Sequence, residues 1–174
     1  MITIVTKDKT WRLERIANLN DTDLSTGRHD SMCLWFAEQE NYIKVLKSIN
    51  QLPRKTNVKF DLKWEEPIKQ GNYVIGFPDF LLTVFDSKEK QPRYYVVEIK
   101  PTIDSVGTVM RQLKLYTSYL RNFHPILVTT TKKFKKVFND QGISYYVLKD
   151  RTDTFTDVED IGFDIEQEKT DGWI

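Results

Sequence analysis

Cysteine and histidine are scarce in this 174-residue chain, which holds one cysteine, Cys33, and two histidines, His29 and His124. A single cysteine excludes an intrachain disulfide, a four-thiolate zinc site and an iron–sulfur cluster built from the chain's own ligands. Its expected role is that of a small buried apolar side chain. Two histidines cannot build a three-histidine zinc site, and they leave a serine or cysteine nucleophile few bases. Both are expected to be surface or loop residues without a chemical role. Metal chemistry, if present, is expected to rest on carboxylates, a donor set that suits Mg²⁺ or Mn²⁺. No apolar run approaches the length of a bilayer span, so membrane insertion is not expected. The first residues run into Lys7, Asp8 and Lys9, unlike the order of a secretory signal, and a cytoplasmic location is the expectation.

Charge is balanced overall and uneven along the chain. The net charge is +1, from 26 basic and 25 acidic residues. Residues 150–174 hold nine of the acids against Arg151 and Lys169, leaving 24 basic and 16 acidic residues, or +8, in residues 1–149. A basic body with an acidic tail is compatible with a polyanion-binding surface for which the tail competes, and equally with a tail that serves solubility alone. The chain divides on this reading into an N-terminal arm (1–29), a core (30–149) and an acidic C-terminal tail (150–174).

Within the core, Asp30 or Ser31 would cap a first helix in which Trp35, Phe36, Tyr42, Ile43, Leu46 and Ile49 recur at helical spacing until Leu52-Pro53. Three β-rich runs follow: Val58 to Trp64 with Tyr73 to Phe77, then Phe80 to Phe85, then Tyr94 to Ile99. The short polar stretch from Asp86 to Pro92 predicts a hairpin between the second and third. Val106, Val109, Met110, Leu113, Tyr116 and Leu120 line one face of a second helix capped by Asp104 or Ser105. Ile126 to Thr130 reads as a buried strand, Lys132 to Phe138 as a short helix and Ser144 to Leu148 as a last strand. The order predicts an α/β (α+β) fold with a central mixed sheet flanked by helices, the second helix making a crossover.

Pro78-Asp79 and Glu98-Ile99-Lys100 are the strings that could carry chemistry. Side chains alternate along a strand, so Glu98 and Lys100 share one face, with alpha carbons roughly 6.5 Å apart, while Ile99 points into the opposite layer. Pro78 is tolerated at a strand start, and the hairpin register would set Asp79 opposite Glu98. Two carboxylates on adjacent strands repel each other unless a cation lies between them, which is how oxygen-rich Mg²⁺ sites are built. Such an ion with Lys100, whose pKa partial burial would depress, could serve hydrolytic phosphodiester cleavage, the lysine orienting or deprotonating water and offsetting phosphorane-like charge. Asp61-Leu62-Lys63 has the same acid-x-Lys form without the Pro-Asp, and is expected to be a solvated strand face.

These motifs and the element order around them, from Asp30 to Leu148, resemble the PD-(D/E)xK nuclease superfamily. The resemblance implies a restriction-endonuclease-like αβββαβ core and a Mg²⁺- or Mn²⁺-dependent DNA endonuclease leaving 5′-phosphate and 3′-hydroxyl ends. It implies Asp79, Glu98 and the Ile99 carbonyl as metal ligands and Lys100 as the catalytic lysine. It further implies an acid from the first helix, for which Glu38 and Glu40 are both candidates, and a polar residue on the helix after the lysine, which Gln112 resembles. Trp64-Glu65-Glu66-Pro67-Ile68 ahead of Pro78-Asp79 is also similar to endonuclease subunits of heteromeric transposases and to phage or mobile-element nucleases. No helical DNA-binding domain of the transposase-subunit type is evident after the core. DNA is the implied partner, with a homodimer or partner subunit for cutting both strands.

The alternative is a catalytically silent nucleic-acid- or protein-binding subunit on the same scaffold; a ribonuclease is a further one. Lys132, Lys133, Lys135 and Lys136, interleaved with Phe134, Val137 and Phe138, fit a phosphate-contacting surface and equally an amphipathic helix with solvated lysines. Trp11, Arg12 and Arg15 fit either a DNA contact or an arm covering the core.

Overall fold

The computed structural model describes residues 24–52 and 58–149. Residues 1–23 of the arm, with Trp11, Arg12 and Arg15, and the acidic tail lie outside the described residues, whereas residues 24–29 belong to the first helix.

A five-stranded mixed sheet forms the centre, in the order β1 (Val58–Trp64), β4 (Phe80–Asp86), β5 (Arg93–Lys100), β6 (Phe123–Thr129), β7 (Ser144–Val147). The first three are antiparallel and the last three parallel, as the chain connectivity requires: β4 and β5 share a short turn, whereas β5 reaches β6 through the helix α3 (Val106–Tyr119). In the turn, the Asp86 carboxylate accepts a hydrogen bond from the Lys88 amide at 2.9 Å and Arg93 pairs with Glu89. Central β5 is buried on both faces, and its composition suits that place: Tyr95, Val97 and Ile99 enter one layer and Val96 the other. Ser105 caps α3 by accepting from the Thr108 amide at 3.3 Å.

Helices α1 (Leu24–Ala37) and α2 (Gln39–Ser48) cover one face of the sheet, where Phe36, Tyr42 and Leu46 pack with Phe60, Phe80, Leu82 and Val97. On the other face, Val109 and Leu113 of α3 and Phe138 of the short helix α4 (Lys135–Asn139) pack with Leu127 and Tyr145. Burial of a side chain the size of Phe36 or Leu82 contributes about 1.5–3 kcal/mol, so both layers draw on the same hydrophobic source. Among the described residues, no helix is long and apolar enough to cross a membrane.

Two expectations are corrected. The first helix is two helices and begins at Leu24, so Asp30 and Ser31 lie inside α1 and do not cap it. Glu38 is extended (ψ 132°), and the Asn41 side chain donates to the Trp35 carbonyl at 2.7 Å, satisfying an acceptor that the break exposes. The break needs neither proline nor glycine. Helix α2 ends at Ser48, with Asn50 left-handed (φ 56°) and the Gln51 amide donating to Leu46 at 2.8 Å. The second correction concerns Tyr73 to Phe77. Strand β3 (Tyr73–Gly76) pairs with β2 (Ile68–Gln70) through a turn at Gly71 (φ 58°), and this hairpin is separate from the central sheet. Ile68 anchors it against Val96 and Tyr116.

Candidate metal centre

Asp79 precedes β4 and ends the ladder that β4 forms with β5. The last pair is Phe80 with Val97, so the register continued one step sets Asp79 opposite Glu98. The Asp79 side chain takes the next place in the ladder, its Oδ2 accepting from the Ile99 amide at 2.6 Å. Pro78 fits a ladder end because it has no amide to satisfy. The Ile99 amide thus faces Asp79, and strand geometry places the carbonyl of the same residue on that edge.

Glu98 and Lys100 point into the layer of α3, opposite to Ile99, which is buried among the residues facing α1 and α2. Lys100 Nζ lies 2.8 Å from Glu98 Oε1, which also accepts from Gln112 Nε2 at 2.8 Å. Gln112 in turn donates to the Tyr116 hydroxyl at 3.0 Å, and that hydroxyl donates to the Phe77 carbonyl at 3.3 Å. One face of α3 therefore holds Glu98 from one side and the Phe77-Pro78-Asp79 segment from the other. The second oxygen of Glu98, Oε2, is buried with no hydrogen-bond partner.

Electrostatics follow from this crowding. Burial first, and the Asp79 carboxylate second, push Glu98 up to about 7 against the opposing pull of Lys100. The Lys100 ammonium is raised, contrary to the depression expected from burial: burial lowers it, but Glu98 and Asp79 together outweigh that effect.

The third contributor to the site comes from α1 and was missed by sequence reasoning. His29 Nε2 lies 3.2 Å from Asp79 Oδ1, and Cys33 Sγ lies 3.7 Å from the same nitrogen. Ligand atoms of His29, Cys33 and Asp79 all fall within 4.8 Å of one another, a grouping able to hold a metal ion. Desolvation lowers the His29 pKa, yet Asp79 and Asp30 overcome it and the net direction is upward. A signal was available in the spacing of His29 and Cys33, which share a helix face one turn apart.

Glu38 and Glu40 are not brought to this cluster. Both are exposed at the α1–α2 junction, Glu38 about 13 Å along the helix axis from His29 by helical rise. It is the middle of α1, with His29 and buried Asp30, that lies over the strand ends. Asp61 and Lys63 sit on edge strand β1, Lys63 exposed and opposite Leu81, Asp61 half-buried and opposite Thr83, and neither is opposite Asp79. His124 pairs with Ser144 at 2.7 Å on the far end of β6.

The donor set fits a divalent ion. Two carboxylates converge, one with a buried oxygen lacking any hydrogen-bond partner, and a backbone carbonyl shares their edge. No family model and no curated protein matches the chain.

Proposed function

We propose that the protein is a divalent-metal-dependent DNA endonuclease with a restriction-endonuclease-like fold, as its resemblance to the PD-(D/E)xK superfamily suggests. The observation that carries this reading is the convergence of Asp79, Glu98 and Lys100, with Lys100 on Oε1 of Glu98 and Oε2 of the same carboxylate buried without a hydrogen-bond partner. Asp79, Glu98 and the Ile99 carbonyl would hold Mg²⁺ or Mn²⁺. Bound there, the ion would polarise a phosphate oxygen and acidify a water molecule.

The chain's own groups do the rest. Asp79 is fixed in place by the Ile99 amide, and Glu98 by Gln112, so neither carboxylate has to be reorganised when substrate arrives. Lys100, held 2.8 Å from Glu98, remains an ammonium in the absence of substrate. In that form it orients the attacking water by hydrogen bonding and offsets negative charge that grows on the scissile phosphate. Cutting both strands calls for two such centres, supplied by a second copy or a partner subunit.

The test is incubation of supercoiled, linear, branched and single-stranded DNA with the protein in Mg²⁺, Mn²⁺ or chelator. Asp79→Asn and Lys100→Ala are expected to abolish cleavage with unchanged far-ultraviolet circular dichroism. Cleavage at the wild-type rate by either variant would remove the proposed centre. A binding subunit on the same scaffold would bind DNA and cleave nothing under any of these metals.

A further inference from the structure

We propose that His29, Cys33 and Asp79 form a Zn²⁺ site that shares Asp79 with the carboxylate centre. Zinc takes nitrogen, sulfur and oxygen donors together, whereas Mg²⁺ has little use for a thiolate or an imidazole. The spacing of His29 and Asp79 already agrees with tetrahedral coordination, and a turn of the Cys33 side chain completes the set. Bond lengths of about 2.3 Å to sulfur and about 2.0–2.2 Å to nitrogen and oxygen put the sulfur and nitrogen of one tetrahedron roughly 3.5 Å apart, and the nitrogen and oxygen roughly 3.4 Å apart. Here His29 Nε2 and Asp79 Oδ1 are 3.2 Å apart, while Cys33 Sγ lies against the imidazole, 3.7 Å from Nε2 and 3.8 Å from Nδ1, so that binding the metal turns the thiol toward the Nε2 lone pair.

The far side of the imidazole supplies an independent observation. His29 Nδ1 lies 3.4 Å from Oδ1 of Asp30, whose side chain is 2% exposed. A histidine that binds zinc through one nitrogen characteristically donates the other N–H to a carboxylate, which fixes the tautomer and the ring plane. Nε2 is thereby presented to Asp79. Three protein ligands leave a fourth position, and the His29 and Asp79 side chains, 25% and 10% exposed, give an approach from solvent. Coordination converts the Cys33 thiol to a thiolate, its proton passing to solvent.

Zinc here occupies Oδ1 of Asp79, the carboxylate that the Mg²⁺ centre also needs. Resting on the nuclease reading, the consequence is that Zn²⁺ inhibits Mg²⁺-supported cleavage by withdrawing Asp79 from the pair.

Co²⁺ is the probe for the site itself, because a tetrahedral cobalt thiolate has a near-ultraviolet charge-transfer band and intense visible bands. The full chain titrated with Co²⁺ is expected to show both, and stoichiometric Zn²⁺ to bleach them. Cys33→Ser is expected to lose the charge-transfer band, and His29→Asn to weaken Co²⁺ binding at least tenfold. Cys33 is fully buried while His29 is not, so His29→Asn, checked by circular dichroism, keeps the test valid if the Cys33 variant fails to fold. Wild-type protein without a charge-transfer band, or a folded His29→Asn that binds Co²⁺ as tightly as wild type, overturns the site. In the cleavage assay, the Zn²⁺ concentration for half-inhibition should rise at least tenfold in His29→Asn; equal potency overturns the inhibition. Cobalt bands from a chain that cleaves no DNA uphold the metal site and overturn the nuclease reading alone.

Discussion

Glu98 is the residue on which stability and chemistry meet. Its carboxyl is raised from 4.5 to about 7, so between those values the folded protein holds a proton that the unfolded chain has released. Stability must then fall as pH rises through this window, by on the order of 3 kcal/mol when Glu98 is fully ionised. His29 acts in the same direction: raised in the fold, it contributes stability that is complete below 6.5 and is lost as pH passes its folded value. Thermal unfolding in chelator should therefore show a melting temperature that drops from pH 5 towards neutrality. Mg²⁺ or Mn²⁺ should recover much of the loss at pH 7.5, because an ion bound only by the folded state adds stability by mass action. Glu98→Gln should flatten most of the pH dependence; a slope equal to wild type would mean that the burial of Glu98 is misplaced. Glu38 and Glu40 carry the opposite expectation. Both are exposed, beyond the C-terminal end of α1 and away from the middle of that helix, which reaches the cluster, so Glu38→Ala and Glu40→Ala should leave cleavage within about twofold of wild type and stability within about 0.5 kcal/mol.

At the scale of elements, the hairpin β2–β3 and helix α3 are keyed together at one glycine. A Cβ on Gly76 would stand 2.7 Å from Cε1 of Tyr116, closer than packed atoms tolerate, and that ring carries the hydroxyl joining Gln112 to Phe77. Gly76→Ala is expected to cost about 1–3 kcal/mol in urea unfolding by overpacking. It should also lower cleavage, since Gln112 loses one of its two contacts when Tyr116 moves. An unchanged unfolding midpoint would show that the ring yields without cost. What the sequence made legible was periodic. The β-branched runs, a cap at Asp104 or Ser105, and the alternation that sets Glu98 and Lys100 on one face all follow from local spacing, the cap falling to Ser105. The break at Glu38 was hidden because apolar residues continue on both sides of it and the Asn41 side chain, not a proline, makes it tolerable. Tyr73–Gly76 has the composition of a sheet strand, and only its nearby partner Ile68–Gln70 diverts it. His29 and Cys33 were read as inert because their meaning depends on Asp79, which reaches them only through the packing of α1 over the strand ends.

Among the described residues, a group of lysines follows the end of the sheet at which Lys100 lies. Lys100 pairs in register with Thr129, and the Thr130 hydroxyl donates to the Pro101 carbonyl at 2.8 Å, so the segment leaving β6 starts beside the segment leaving β5. That segment carries Lys132, Lys133, Lys135 and Lys136, all exposed, above Phe138, which is buried. The phenylalanine explains the local fold and the lysines are not needed for it. Their placement, on the segment that leaves the Lys100 end of the sheet, suits a strand of DNA laid across the carboxylate centre and held by its phosphates. Each phosphate contact steepens the salt dependence of binding by about 0.9 in the slope of log K against log salt. Replacing all four lysines with alanine should therefore reduce the slope by up to about 3.6, measured by fluorescence anisotropy of labelled duplex DNA across a KCl series. The weakening should be nearly uniform across DNA sequences, because phosphates carry no base information. Thermal stability should stay close to wild type, since exposed lysines contribute little to the fold. A slope unchanged within error, with affinity intact, would make these lysines a solvated helix face.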